Sequence, residues 1–131
     1  MTPHPKEFSR LLAFTGIKKS VSQIQADRFG VARDFTNAYP HVVLVLKGAY
    51  TLVAQSGDVY VNPYSVSKLS QGGSGDVLSG LIASLLGQGY PSLDAAISAT
   101  LALTLAAQKF DGPDYAMDAR DLTRLLKSWL V

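Results

Sequence analysis

The chain has 131 residues, of which 47% are hydrophobic and 17% are charged, and its formal net charge is +2. This length fits one domain, and this composition excludes a disordered chain, which needs low hydrophobicity and high charge. The densest basic stretch is the pair Lys18 and Lys19, so the charge pattern gives no support for a nucleic-acid partner. Because the chain has no cysteine, disulfides and thiolate metal sites are excluded.

No segment of the sequence is typical of export or of membrane insertion. Residues 1–7 lack the apolar core of a signal peptide. The apolar stretches are interrupted well before the ~20 residues that cross a bilayer. We therefore expect a cytoplasmic protein with no membrane partner.

The first elements in chain order are two helices. Pro5 begins a helical apolar period, and Thr15–Gly16 ends it, since glycine accepts the left-handed conformation found after helices. Ser20 and Gln23 have the spacing of a capping box, which predicts a second helix running to about Asn37.

A strand and a hairpin follow. The run His41–Leu46 is apolar and rich in β-branched residues, which predicts a strand buried on both faces of a sheet. Residues 50–54 and 59–61 flank the turn residues Ser56–Asp58, which predicts a β-hairpin with a glycine-containing turn.

The remaining elements are helical. After a loop over residues 62–73, apolar periods predict helices from Ser74 to about Gly87 and from Pro91 to about Phe110, the latter buried on almost every face. Asp118 is expected to cap a last helix, whose buried side is formed by Leu122, Leu125, Leu126, Trp129 and Leu130. The fold class is therefore α/β, with fewer strands than the ~4–6 of a typical sheet. We expect further strands to belong on the N-terminal side.

The most informative segment is the glycine-rich run from Gln71 to Gly80 at the start of a predicted helix. Gly72, Gly73 and Gly75 remove Cβ atoms where a backbone has to approach a ligand closely. The first backbone N–H groups of a helix are unpaired and lie at the positive end of its dipole, so this segment predicts a phosphate site.

Asp76 lies in the first turn of the same predicted helix. One interpretation makes it a general base that takes a proton from a substrate hydroxyl attacking a phosphoryl group. The other makes it an ordinary capping or dipole residue, and the sequence leaves both open. The Walker A pattern is absent, and so is a Rossmann glycine pattern in a strand–turn–helix setting.

Four stretches in order resemble one family. The run Gly72–Leu78 resembles the anion-hole signature of ribokinase-like proteins, and more narrowly that of the ADP/ATP-dependent NAD(P)H-hydrate dehydratases. Thr2–Phe8, Val45–Thr51 and Ile82–Gly89 with the following Asp94–Ala96 resemble further motifs of that family. The similarity covers nearly the whole chain and implies a ribokinase-like α/β fold.

The resemblance also implies an activity and a set of site residues. The reaction would be a lyase reaction of metabolite repair: ADP or ATP, with Mg²⁺, phosphorylates the hydroxyl of hydrated NADH or NADPH (NADHX or NADPHX), and phosphate is then eliminated. Asp76 would act at the substrate hydroxyl, and His4 would contact the hydrated nicotinamide. Adenine nucleotide would be bound by Lys47, Gly48, Ala49, Tyr50, Thr51, Gly73, Ser74 and Gly75. Taken alone, His4 is also compatible with a turn, and Lys47 with a solvated strand end.

The sequence departs from the family pattern at several positions. Lys6 replaces a glycine, Ser65–Lys68 stands where the family has Gly-Asn-x-Gly, and Leu103–Thr104 replaces a His-Gly pair. Two alternatives therefore stay open. One is a ribokinase-like kinase of a hydroxymethyl-pyrimidine, a thiazole or a sugar. The other is an inactive truncated fragment that only binds adenine nucleotide or a partner chain.

The length of the chain is a further departure, because family domains are considerably longer on the N-terminal side. We therefore expect residues 1–131 to be one N-terminally truncated ribokinase-like domain. Its sheet should have exposed edges and faces, which favours a homo-oligomer or a complementing N-terminal part. Alone, the chain is expected to show little dehydratase activity.

Overall fold

The computed structural model describes residues 1–70 and 72–129, with the backbone alone for Trp129. Three parts of the sequence predictions lie outside the described residues. One is Gln71, in the glycine-rich run. The others are Leu130 and the side chain of Trp129, both predicted for the buried side of the last helix. The chain divides into two compact units, residues 1–61 and the residues from Asn62 onward, and each is described by itself. No helix in the described ranges is long and apolar enough to cross a membrane.

The first unit consists of helices packed on a small antiparallel sheet. Its elements in chain order are α1 (Pro5–Phe14), α2 (Val21–Ala26), α3 (Arg28–Ala38), β1 (Leu44–Leu46), β2 (Leu52–Gln55) and β3 (Asp58–Val61). The strands are ordered β1-β2-β3, with Val45 opposite Val53 and Val53 opposite Tyr60.

The core of this unit lies between the helices and one face of the sheet. Phe8, Phe35 and Leu46 belong to it, and the rings of Phe8 and Phe35 meet edge to face with their centroids 5.3 Å apart. Alternate residues of a strand point to opposite faces, so Leu44 and Leu46 face the helices, whereas Val45, which is also buried, faces away from them. Burial of β1 on both faces, as the sequence predicted, is confirmed.

Two boundaries in the first unit differ from the sequence prediction. The helix expected from Ser20 to Asn37 is broken at Asp27, whose carboxylate accepts a hydrogen bond from the Gly30 N–H and caps a new helix, α3. The strand expected from His41 begins only at Leu44, because the chain is still in the turn that follows α3. The capping box of Ser20 and the hairpin with its glycine-containing turn are confirmed. The turn is one residue shorter than predicted, because Asp58 already belongs to β3 and pairs with Gln55.

The N-terminal residues run beside β1. The backbone N–H of Val45 donates to the Met1 carbonyl at 2.8 Å, and that of Lys47 donates to the Pro3 carbonyl at 3.0 Å. The residue numbers of the two partners increase in the same direction, from Met1 to Pro3 and from Val45 to Lys47, so residues 1–3 run parallel to β1. This pairing fixes the backbone immediately before His4.

The second unit is helical. It contains two short 3₁₀ segments (Ser67–Ser70 and Asp114–Ala116) and three long helices, α4 (Ser74–Gly87), α5 (Ser92–Gln108) and α6 (Ala119–Trp129), within the described residues. Asp118 caps α6 through hydrogen bonds from the N–H groups of Arg120 and Asp121, as predicted. The apolar side predicted for α4 is only partly covered: Leu78 is buried, whereas Leu86 is 43% exposed.

Two buried threonines of α5 provide a test of the packing of this unit. Thr104 accepts a hydrogen bond of 2.8 Å from the buried Asn62 amide, whereas the buried hydroxyl of Thr100 has no partner among the described residues. We expect Thr104→Val to lower the free energy of unfolding by about 1–3 kcal/mol, because it leaves a buried amide unpaired. Thr100→Val should leave this free energy unchanged or raise it by about 1 kcal/mol.

Urea unfolding of the two variants checks this pair. The substitution is the same on the same helix, so differences in helix propensity cancel between them. Equal destabilisation by both variants would contradict the prediction that the Thr104 hydroxyl stabilises the unit through Asn62 whereas the Thr100 hydroxyl does not.

Candidate functional site

The residues that the sequence singled out fall into two groups, one in each unit. His4 and Lys47–Thr51 belong to the first unit, and Gly73–Asp76 belong to the second. The first group is organised around the start of α1 and the end of β1. The second lies at the start of α4.

His4 is the N-cap of α1. Its Nδ1 accepts a hydrogen bond from the Glu7 N–H at 3.2 Å, and the Glu7 carboxylate accepts one from the His4 N–H at 2.8 Å. This is a capping box with histidine in the place of serine, so His4 has a structural role as a helix cap, whereas the sequence alternative was a turn residue. Because Nδ1 is an acceptor here, a neutral ring carries its proton on Nε2. The side chain is 47% exposed, so capping leaves room for a ligand at this ring.

Glu7 connects His4 with Lys47. One carboxylate oxygen lies 3.3 Å from His4 Nε2, and the other lies 3.9 Å from Lys47 Nζ. The His4 backbone N–H, followed by the positive charge nearby, lowers the pKa of Glu7. The carboxylate therefore stabilises the fold above its ordinary pKa, and this stabilisation is lost as the pH falls through the lowered value.

Sequence reasoning assigned no role to Glu7, although it stands in the Thr2–Phe8 motif. The signal was present, because His4 and Glu7 have the spacing of an N-cap and its N3 partner. A histidine N-cap is uncommon, since serine, threonine, aspartate and asparagine are preferred there. The connection with Lys47 could come only from the tertiary structure.

The segment Lys47–Thr51 follows the end of β1. Lys47 is half-buried, and Gly48, Ala49 and Tyr50 form an exposed bend before β2 begins at Leu52. Tyr50 is 50% exposed. An exposed bend at a strand end presents backbone N–H and carbonyl groups to a ligand.

The start of α4 has the geometry expected for an anion site. Gly73 is the N-cap with φ +90°, a left-handed conformation that a side chain rarely adopts, and no side chain caps the helix. The first intrahelical hydrogen bond runs from the Val77 N–H to the Gly73 carbonyl at 3.1 Å. The N–H groups of Gly75 and Asp76 therefore precede the helical ladder, at the positive end of the dipole of a 14-residue helix.

Asp76 is exposed at the third position of this helix. No hydrogen bond or ion pair engages its carboxylate within the described ranges, and α4 has no side-chain cap. Asp76 therefore does not cap α4, whereas its interpretation as a partner of the helix dipole stays open. Its carboxylate is available to a ligand bound at the helix start.

The loop before the glycines is tied to the segment that joins α5 and α6. The Ser67 hydroxyl bonds to the Asp114 carboxylate. Lys68 Nζ donates to the Phe110 carbonyl at 2.7 Å and lies 5.5 Å from the centroid of the Phe110 ring. Residues 67 and 68 belong to the stretch where the sequence departs from the family pattern. The side chains that differ from the pattern therefore make contacts with the segment between α5 and α6. They hold a 3₁₀ turn in place of a glycine-containing loop.

The architecture places the chain in the ribokinase-like α/β class. YxkO from Bacillus subtilis superposes on 98% of this chain with a TM-score of 0.86 and 29% sequence identity. An ADP/ATP-dependent NAD(P)H-hydrate dehydratase from the same organism, co-crystallised with ATP and Mg²⁺, superposes on 98% of the chain with a TM-score of 0.84 and 30% identity. The chain covers 47% and 46% of those two proteins.

The sequence profile of the NAD(P)H-hydrate dehydratase family matches residues 1–128, and the chain belongs to this family. A bifunctional NAD(P)H-hydrate repair enzyme of Helicobacter pylori is 48% identical over 127 residues, which are 97% of this chain and 27% of that enzyme. An ADP-dependent (S)-NAD(P)H-hydrate dehydratase of Neisseria meningitidis is 46% identical over 97 residues, which are 73% of this chain and 31% of that enzyme. The chain thus spans about a third or less of these curated relatives.

Proposed function

We propose that the chain provides the catalytic aspartate and the phosphate-binding helix of an ADP- or ATP-dependent NAD(P)H-hydrate dehydratase. The observation that carries this proposal is the start of α4, where a left-handed Gly73 leads into unpaired N–H groups next to an unengaged Asp76 carboxylate. Family membership supports the choice of substrate. It favours the dehydratase over a kinase of a pyrimidine, a thiazole or a sugar.

The proposed chemistry divides between the two groups. In the second unit, the N–H of Gly75 binds the phosphate of the nucleotide, and Gly73 and Ser74 shape the loop around it. Asp76 accepts the proton of the substrate hydroxyl as the hydroxyl oxygen attacks the terminal phosphorus of ADP or ATP. The bond from that phosphorus to the bridging oxygen breaks, and AMP or ADP leaves. The phosphorylated hydrate then loses phosphate and a proton from the neighbouring carbon, which restores the dihydronicotinamide ring.

The first unit supplies recognition in this proposal. Lys47, Gly48, Ala49, Tyr50 and Thr51 contact the adenine nucleotide through the exposed bend after β1. His4 contacts the hydrated nicotinamide, and its Nε2–H is the group available as a donor. Glu7 holds both the His4 ring and the Lys47 ammonium group.

Magnesium is expected to arrive with the nucleotide. The described residues contain no group of three or more histidine, cysteine, aspartate or glutamate side chains that could hold a metal ion. Mg²⁺ is usually bound mainly by substrate phosphates and water with few protein ligands. When bound, the ion would neutralise charge on the transferred phosphoryl group.

We also propose that residues 1–131 form part of a longer ribokinase-like domain, with the rest of the site supplied by further residues of the same protein or by a partner chain. The support is that the chain covers under half of the solved relatives it matches. The alternative of a truncated fragment is thus kept as part of this proposal: the chain contributes to the site and needs the remaining residues for activity.

A chimera tests the proposed function. In it, this chain replaces the segment that it matches in the Helicobacter pylori relative. We expect the chimera to regenerate NADH from its hydrate with ADP or ATP, whereas the isolated chain does so weakly. The reaction is measured by the return of dihydronicotinamide absorbance. A folded chimera that phosphorylates a sugar or pyrimidine but leaves the hydrate unchanged would contradict the dehydratase assignment.

A further inference from the structure

Arg28 lies at the first position of α3, where its charge opposes the helix dipole. The residue is therefore not explained by the stability of α3. Its Nη2 donates to the Leu46 carbonyl at 3.0 Å and approaches the Lys47 carbonyl at 3.4 Å. Its Nε is buried and has no partner among the described residues, and the residue as a whole is half-buried.

The two carbonyls show what the guanidinium group does to the chain. Successive carbonyls of an extended strand point in opposite directions, so one nitrogen can reach both only where the strand turns. Arg28 therefore marks and holds the turn at the end of β1. That turn leads into the bend that begins at Gly48.

Gly48 leaves the space that the guanidinium group occupies. A Cβ atom on Gly48 would lie 2.6 Å from Arg28 Nη2 and 2.8 Å from Cζ, which is too close for any real contact. The φ of Gly48 is not in the left-handed region, so a Cβ here would meet the guanidinium group and no backbone strain, and it would force that group to shift. The identity of Gly48 thus depends on Arg28.

One peptide group transmits this contact across the sheet. The Leu46 carbonyl and the Lys47 N–H belong to the same planar peptide unit. The carbonyl accepts from Arg28, and the N–H donates to the Pro3 carbonyl at 3.0 Å. Pro3 immediately precedes His4, so the same peptide unit joins the two recognition segments of the first unit.

We propose that Arg28 is a positioning residue that fixes the Leu46–Lys47 peptide and, through it, the orientation of the Lys47–Thr51 bend for nucleotide. The consequence for nucleotide rests on the proposed function, whereas the local fixation of the peptide does not. Hydrogen bonds from a charged donor are stronger than those from a neutral donor. Replacing Arg28 with alanine leaves the Leu46 carbonyl without this donor.

The local part is tested by amide hydrogen exchange in the 131-residue chain. In Arg28→Ala we expect the Lys47 amide to exchange about ten-fold to a hundred-fold faster, because its peptide is no longer held from the carbonyl side. The Val45 amide, bonded to Met1 in the same ladder, serves as the internal reference. Arg33→Ala, which removes an exposed arginine from the same helix, should leave the ratio of the two exchange rates unchanged.

A double-mutant cycle separates this role from general destabilisation. Gly48→Ala should displace the guanidinium group and speed Lys47 exchange as Arg28→Ala does, but it should add almost nothing when Arg28 is already alanine. Arg28→Lys should restore only part of the protection, because lysine lacks the planar fork. If Arg28→Ala does not fold, Gly48→Ala and Arg28→Lys still provide the comparison. Unchanged Lys47 exchange in these variants, or additive effects in the cycle, would overturn the proposal.

Calorimetric titration with ADP and ATP tests the consequence for nucleotide. We expect Arg28→Ala and Gly48→Ala to weaken binding by roughly ten-fold or more, with Arg33→Ala unchanged. Binding that is unaltered in Arg28→Ala would overturn the positioning role. The titration uses the chimera, in which the rest of the site is present. If the unmodified chimera, shown to be folded, binds no nucleotide while Lys47 exchange in the 131-residue chain responds as expected, the proposed function fails and the local fixation stands.

Discussion

Asp76→Asn is expected to lower kcat of the chimera by about 10²- to 10⁴-fold, the range associated with loss of a general base. Asparagine keeps the size and shape of the side chain but cannot accept the substrate proton. Nucleotide affinity should be unchanged or higher, because a negative charge is removed from the neighbourhood of bound phosphate. Turnover is measured by the return of dihydronicotinamide absorbance, and affinity is measured by calorimetry.

Asp94→Asn is the matched control for this prediction. Asp94 is the third residue of α5, as Asp76 is of α4, and both carboxylates are exposed in the first turn of a helix. The two substitutions therefore have the same effect on the helix dipole. A similar fall in kcat for both variants, or a fall for Asp76→Asn that follows loss of nucleotide binding, would contradict the role of Asp76 in proton transfer.

The largest effect on stability is expected from Phe8→Ala. Phe8 is fully buried in the core of the first unit and packs edge to face against Phe35. Removing such a side chain costs about 3–5 kcal/mol, which is a large part of the ~5–15 kcal/mol that stabilises a typical domain. Because α1 begins at the His4 cap, this loss should also disorganise the recognition segment.

Phe14→Ala provides the control on the same helix. Phe14 is 90% exposed, so the same substitution should change the free energy of unfolding by no more than about 0.5 kcal/mol. Urea unfolding of both variants gives the comparison. Equal stability of the two variants would mean that the core described here does not hold the first unit together.

Local signals in the sequence predicted several elements well. Pro5 and Thr15 mark the start and end of α1, and the hairpin was evident from the glycine-containing turn, in which Ser56 and Gly57 both have positive φ in the structure. Each of these features is set by a few neighbouring residues. For this reason they could be predicted without knowledge of the tertiary structure.

The break between α2 and α3 shows where periodicity fails. The apolar spacing continues across Asp27, and this continuity predicted one helix. The decisive contact is the Asp27 carboxylate on the Gly30 N–H, in space that a Cβ on Gly30 would fill. The combination of Asp27 and Gly30 three positions later could have indicated this N-cap.

The candidate site was predictable in its residues but not in their connections. The resemblance indicated His4, Lys47 and Asp76 from local motifs. The contact of Glu7 with both His4 and Lys47, and that of Arg28 with the end of β1, join segments far apart in the sequence. Such contacts depend on how the helices pack on the sheet, which periodicity does not determine.

The central claim is that the start of α4 binds the phosphate of an adenine nucleotide. The most direct test is calorimetric titration of the chimera with ADP and ATP, comparing Gly75→Val and Asp76→Ala, with Gly80→Val as the same substitution at an exposed position of the same helix. We expect Gly75→Val to abolish binding, and Asp76→Ala and Gly80→Val to retain it. Unaltered binding by Gly75→Val, or no binding by the unmodified chimera when it is shown to be folded, would contradict the claim.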